Sequence, residues 1–300
     1  MTHSPLRHIV ALASGIALVA AGTLVPLSAN AVRQPGAAGV AQRVATEGIV
    51  MVQNDDHTLP LVPNQTVSFF GRTQIDGFPV GYGSGGDVKI EYTTNLLTAA
   101  RRNPGIKVNE QLAAIYDAWC AERKPDDGNW ANWPFSHQEM PLADSVVEQA
   151  AAVSDTAVVM LGRAAGESYD QRYTEGSFFL TDAEKNMLAK VNSHFDKVVV
   201  LLNIGNLIDM NWLRDYEHIK SVLFVWQGGQ EYGTAIASVL SGDESPQAKC
   251  LTRLPTITTI TPLPVTLVKP TRFIRKTFTW ATATLRLSLK IRCFIPSVPV

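Results

Sequence analysis

Ala157-Val158-Val159-Met160-Leu161, running directly into Gly162-Arg163-Ala164-Ala165-Gly166-Glu167-Ser168-Tyr169-Asp170-Gln171-Arg172, is the stretch that decides the fold. Five consecutive apolar residues rich in β-branched side chains suit a strand buried on both faces, and the polar run after them marks a loop. Similar runs recur at Val67-Ser68-Phe69-Phe70, Val198-Val199-Val200-Leu201-Leu202 and Ser221-Val222-Leu223-Phe224-Val225. Between them lie amphipathic stretches at Asn109–Ala121, Leu142–Val153, Thr181–Phe195 and Gln230–Leu240. Strand alternating with helix predicts an α/β fold: a mainly parallel sheet sandwiched by helices. Thr181 and Glu184 have capping-box spacing, and Gly242 is placed to stop the last helix.

In such sheets the loops at the carboxyl ends of the strands converge on the site. Following Leu161, two carboxylates and two guanidinium groups share one loop. A carboxyl there could act as a general acid, or the loop could be a solvated charged turn. The segment after Phe70 carries Gly71-Arg72 and then Gly81-Tyr82-Gly83-Ser84-Gly85-Gly86-Asp87, which lacks the spacing of a phosphate cradle. Asn203-Ile204-Gly205-Asn206 and Trp226-Gln227-Gly228-Gly229-Gln230-Glu231 end the next two strands and could bond to or stack on a sugar, or serve as turns and caps. Arg123–Pro134 reads as a surface loop. There is no HExxH and no GxSxG, so zinc and serine hydrolases find no support.

Working outward to the amino terminus, a helical pattern runs from about Val40 to Gln53, preceded by a link at Gln34-Pro35-Gly36. Before it, Arg7 and His8 lead an apolar stretch from Ile9 to Leu27, closed by Ser28-Ala29-Asn30-Ala31. That is the pattern of a secretory signal, and the length also permits an uncleaved membrane anchor. Either reading puts the folded part outside the cell or on its surface. Net charge is −1, but no acid follows Glu244 while Lys and Arg continue, so the body upstream is acidic and unsuited to nucleic acid. Cys120, Cys250 and Cys293 have no metal-ligand spacing.

Taken in order, the fragments resemble the α/β sandwich domain of family 3 glycoside hydrolases, the β-glucosidase and β-xylosidase family. The resemblance rests on Ala45 to Asn54 leading to Leu59-Pro60-Leu61, on Phe70-Gly71, on Tyr82-Gly83-Ser84-Gly85, and on Gly166-Glu167-Ser168-Tyr169-Asp170, similar to the family's GEGYDR loop. Leu180 to Glu184, Val198 to Asn203 and Trp226 to Glu231 continue it, so that it covers about Val40 to Lys249. It implies a retaining β-glycosidase acting on terminal non-reducing β-D-glucosyl or xylosyl residues, with no metal or organic cofactor. In that family a (β/α)8 barrel carries an aspartate nucleophile and the sandwich domain contributes the acid/base glutamate. Glu167 is by resemblance that glutamate, kept protonated by burial and a neighbouring charge, and Asp170 matches the acidic residue after it. Arg172 is displaced by one place, because Gln171 stands where the family's arginine usually does. The partner expected is an oligosaccharide or glycoside, with membrane anchoring through 9–27 as the uncleaved case.

The chain departs from the family by placing the sandwich domain directly after the export segment, the order of members in which the barrel follows. From Cys250 onward the sequence loses Gly and acids and becomes rich in Thr, Pro and Arg. Read in a shifted frame with permissible synonymous codons, Leu251–Pro255 becomes PDTLA, Ile257–Pro262 DYDDYP and Phe278–Ser288 IYVGYRYFETF, which resemble what family members carry after this domain. The expectation is a frameshift at or just before Lys249. The expected organisation is therefore 1–31 signal peptide or anchor, 32–39 linker, 40–249 sandwich domain and 250–300 a tail that does not fold natively, with the barrel absent. Two other readings are a non-catalytic extracellular carbohydrate-binding module and a nucleotide-binding flavodoxin-like domain. The first would bind sugar and be indifferent to Glu167→Gln, and the second lacks phosphate fingerprints.

Overall fold

A computed structural model of the chain describes residues 36–82, 90–126, 128, 132–167 and 170–248. The segment read as an export signal with its link up to Pro35, residues 83–89 of the Gly-rich turn, residues 127 and 129–131 of the segment read as a surface loop, Ser168-Tyr169 and the tail from Lys249 lie outside the described residues.

The four apolar runs are strands at the centre of one six-stranded sheet. Strand β2 is Thr66–Phe70, β4 Thr156–Arg163, β5 Lys197–Ile204 and β6 Ile219–Phe224, and these four lie parallel in the order β6-β5-β4-β2. A two-residue strand β3, Lys107–Val108, pairs parallel with β2 at one edge. At the other, β1, Val50–Asn54, pairs antiparallel with β6 through a register shift between Met51 and Gln53.

Pleating sends alternate side chains of β4 to opposite faces. Ala157, Val159 and Leu161 join one apolar cluster with Leu112, Tyr116, Val147, Met187 and Val191, while Val158 and Met160 join another with Leu96, Ala100, Ile236, Val239 and Leu240. The first face is covered by helices α3 (Glu110–Glu122), α4 (Asp144–Ala151) and α5 (Asp182–His194). On the second sit α2 (Leu96–Arg102) and α6 (Tyr232–Ser241), with α1 (Ala37–Gly48) packed against α6. Each fully buried Val, Leu or Met in these layers stabilises the fold by roughly 1.5–3 kcal/mol. The capping box at Thr181 and Glu184 is formed, and Gly242 closes α6 with φ +82°.

Two sequence expectations are corrected, and one helix is added. The helix read over Val40–Gln53 ends at Gly48, and Val50–Asn54 is strand β1, because pairing with β6 overrides the helical spacing of Val50 and Met51. That helix begins at Ala37, inside the segment read as a linker. The short helix α2, capped by Asn95 accepting from the Thr98 amide, was not anticipated.

Candidate active site

The segments that follow β2, β4, β5 and β6 meet at one end of the sheet and are fastened to each other through backbone groups. The first turn after β2 depends on Gly71: its φ is +92°, and a Cβ there would lie 2.3 Å from the Met160 carbonyl oxygen. Its N–H donates to the Tyr116 hydroxyl at 3.0 Å. Beyond it Arg72 turns inward. Its Nε donates to Asp76 at 2.9 Å, Nη1 to the Gln138 carbonyl at 3.2 Å and Nη2 to the Arg123 carbonyl, while the guanidinium lies over the Trp119 ring at 5.1 Å.

Facing the same turn is Glu139, a buried carboxyl. Its oxygens accept the Arg72 N–H at 3.1 and 2.9 Å, and Oε1 accepts the Met140 N–H at 2.7 Å. Burial dominates over these donors and pushes its pKa up to about 7. The Cys120 thiol nearby is pushed up to about 12, again chiefly by burial and then by Asp76. Glu139 faces the backbone of the domain interior, which makes it a fastening group for the 71–76 turn.

Asn203, at the end of β5, joins three of the segments. Its Oδ1 accepts the Phe78 N–H at 2.7 Å, and its Nδ2 donates to the Phe78 carbonyl at 3.0 Å and to the Trp226 carbonyl. The Gly229 N–H donates to the Pro79 carbonyl at 2.7 Å, which ties the turn after β6 to the same strip. This strip, residues 75–82, lines a cleft of about 500 Å³ together with Thr93, Asn95, His137 and Tyr232. Phe78 stacks on His137 with centroids 4.4 Å apart. Burial, then Asp76, drives the Tyr232 phenol well above its ordinary range, which keeps it a proton donor.

Tyr82 connects this cleft to the loop after β4. Its N–H donates to the Ala165 carbonyl at 2.8 Å, and its carbonyl accepts the Glu167 N–H at 3.1 Å, forming a short parallel bridge. The Tyr82 ring stacks on buried Trp133 at 4.9 Å and 9°. Gly166 is required at the crossing, since a Cβ would lie 2.5 Å from the Trp133 ring and 2.7 Å from the Tyr82 carbonyl oxygen. On the other side the Ala164 N–H donates to the Phe135 carbonyl at 2.7 Å. The backbone of Glu167 is thus tied to Tyr82, while the residue itself is exposed.

Glu167 and Asp170 are both exposed in this loop. Gln171 donates through Nε2 to the Leu207 carbonyl. The Arg172 amide donates to the Ser177 hydroxyl at 3.0 Å, and its guanidinium lies 5.9 Å from the Phe135 ring centroid. The cluster of two guanidinium groups expected in this loop is divided, because β4 runs on to Arg163 and buries it. Trp133, within the segment read as a surface loop, is 2% exposed. Among the described residues no group of three or more His, Cys, Asp or Glu side chains is placed to hold a metal ion.

Sequence reading did not single out Glu139, Asn203's bridging role or the Arg163–Glu184 pair. Asn203 was read as a strand-end residue that could bond a sugar or serve a turn, and the structure gives it the turn-fastening role, whereas nothing in the spacing around Glu139 marks it.

Residues 49–272 match the profile of the Glycosyl hydrolase family 3 C-terminal domain. A β-glucosidase of Ruminococcus albus is 42% identical over 210 residues, covering 70% of this chain and 22% of that protein. β-Glucosidase A of Butyrivibrio fibrisolvens is 30% identical, over 68% of this chain and 27% of its own length. Among solved structures, a β-glucosidase of Paenibacillus barengoltzii superposes with a TM-score of 0.69 at 46% identity, covering 71% of this chain and 23% of that one. β-Glucosidase 3B of Thermotoga neapolitana, solved in complex with glucose, gives 0.61 at 31% identity over 69% and 29% of the two chains. The chain therefore spans less than a third of the length of these relatives.

Proposed function

The chain belongs to glycosyl hydrolase family 3 as its C-terminal-type α/β domain, and from that premise we propose that it is the acid/base-bearing part of a retaining β-glycosidase for terminal β-glucosyl or β-xylosyl residues. The observation that supports the reading is the bond from the Glu167 N–H to the carbonyl of Tyr82, a residue that lines the cleft, which ties the backbone of this exposed residue to the cleft wall. Glu167 donates its proton to the glycosidic oxygen as the C1–O bond breaks, while a carboxylate nucleophile forms the new bond to C1. Water then attacks C1, Glu167 takes its proton, and the nucleophile is released. The two carboxyls of such a pair stand about 5 Å apart across the scissile bond. The nucleophile comes from the family's barrel domain, whose docking would also desolvate Glu167.

Asp170 and Arg172 are the proposed sugar-facing companions of Glu167. Export through residues 9–27, by secretion or by surface anchoring, belongs to the same proposal, and cell fractionation checks it.

Hydrolysis of aryl β-glucosides and aryl β-xylosides by the 300-residue chain, and by a fusion in which a family barrel domain follows residue 248, tests the reading. Turnover by the fusion alone supports it. Turnover by the chain alone would place both carboxyls within this domain. Saturable glucose binding with no turnover by the fusion, unchanged by Glu167→Gln, would favour a carbohydrate-binding module.

A further inference from the structure

The loop that carries Glu167 leaves the sheet at Arg163 and leads through a turn at Ser177 into α5, and one side chain closes its base. Arg163 is 1% exposed, and each of its three guanidinium nitrogens donates within this base. Its Nε donates to the Ser177 carbonyl at 3.1 Å and Nη2 to the Phe179 carbonyl at 3.1 Å, both in the turn that ends the loop before α5. Its Nη1 donates to the Gly162 carbonyl at 2.7 Å, on the outgoing side. The remaining fork is bidentate to Glu184, Nη1–Oε1 2.6 Å and Nη2–Oε2 2.8 Å. Glu184 is itself fixed at the first turn of α5, where its Oε2 accepts the Thr181 N–H at 2.8 Å and the Thr181 hydroxyl at 3.1 Å.

Only a guanidinium has the planar set of donors for this arrangement, since a lysine ammonium offers three donors from one point. Above the staple the loop is held by its own bonds, Arg172 N–H to Ser177 Oγ at 3.0 Å and Phe178 N–H to the Arg172 carbonyl at 3.2 Å. On its far side it is held by the Tyr82 bridge. From this closure we infer that Arg163, braced by Glu184, is a positioning residue for Glu167, which it holds in place by clamping the two ends of the loop. The inference rests on the proposed role of Glu167 but concerns a residue that never meets the sugar. An acid must stay within hydrogen-bond reach of the leaving oxygen, so loosening the base of its loop weakens proton donation more than sugar binding.

Two measurements test it on Arg163→Lys, which keeps the charge opposite Glu184, and on Arg163→Met/Glu184→Gln, which removes both charges and keeps a cap acceptor at the helix start. In the 300-residue chain, amide hydrogen exchange is expected to quicken about tenfold or more at Glu167 and Arg172, with the β4 and β5 amides unchanged. Equal protection of the loop in variants and parent overturns the inference, and so does a uniform loss across the sheet, which marks a purely structural pair. In the barrel fusion, kcat/KM is expected to fall on the order of a hundredfold for an alkyl glucoside and only a few-fold for a dinitrophenyl glucoside, whose leaving group needs no proton. Equal losses on the two substrates also overturn it. If exchange quickens while Glu167→Ala itself shows no leaving-group dependence, the clamp stands and the acid assignment fails.

Discussion

Phe78 and Asn203 exchange two hydrogen bonds across 125 residues of sequence, the Phe78 N–H donating to Oδ1 at 2.7 Å and Nδ2 donating back to the Phe78 carbonyl at 3.0 Å. Asn203 is wholly buried, so this exchange replaces what water would otherwise satisfy. Replacing it by the near-isosteric Leu strands both Phe78 backbone groups and the Trp226 carbonyl. Asn203→Leu is therefore expected to destabilise the domain by about 2–4 kcal/mol, measured by urea unfolding. A loss below about 1 kcal/mol would show that the strip over the cleft is held from elsewhere.

Glu139 predicts a pH dependence of stability. Its folded pKa is raised to about 7 from an ordinary 4.5, so the folded state holds a proton that the unfolded chain has released. Stability from this group is full below the ordinary value and declines as pH rises through about 7. Between pH 5 and 8 the parent should lose up to on the order of 3 kcal/mol relative to Glu139→Gln. Parallel stability profiles for the two proteins would contradict it.

At the crossing of Gly166 under Tyr82 there is no room for a methyl group. Gly166→Ala places a Cβ 2.5 Å from the Trp133 ring, and the displaced partner is the Tyr82 carbonyl that holds Glu167. In the barrel fusion this change is expected to lower kcat/KM on an alkyl glucoside about tenfold or more, because a small misplacement of the acid is costly. Unchanged kinetics would mean that the Tyr82 bridge does not set the position of Glu167.

What the sequence made legible was the centre of the sheet, because strands such as Ala157 to Leu161 are buried on both faces and need unbroken apolar runs. The edge was not. Ile49 to Val52 is also an apolar run, but it continues the helical spacing of the segment before it, and its antiparallel pairing with β6 decides for strand. Glu167 was legible as a motif residue and as a strand-end polar group, but its exposure was not, since that depends on which surfaces this domain leaves uncovered. Arg163 was read as a loop charge because nothing in one dimension shows that Glu184, in the next helix, turns back to meet it. Glu139 was invisible for the same reason: its partners are backbone amides of Arg72 and Met140 that only the tertiary fold brings together.

The most direct test of the central claim is the leaving-group dependence of Glu167→Ala in the barrel fusion. An acid/base residue predicts a fall of about 10²–10⁴-fold on an alkyl β-glucoside, little change in the glycosylation of a dinitrophenyl glucoside, and recovery of turnover on the latter with added azide. Equal losses on both substrates, without azide recovery, would contradict the account and send the search for the acid to another carboxyl.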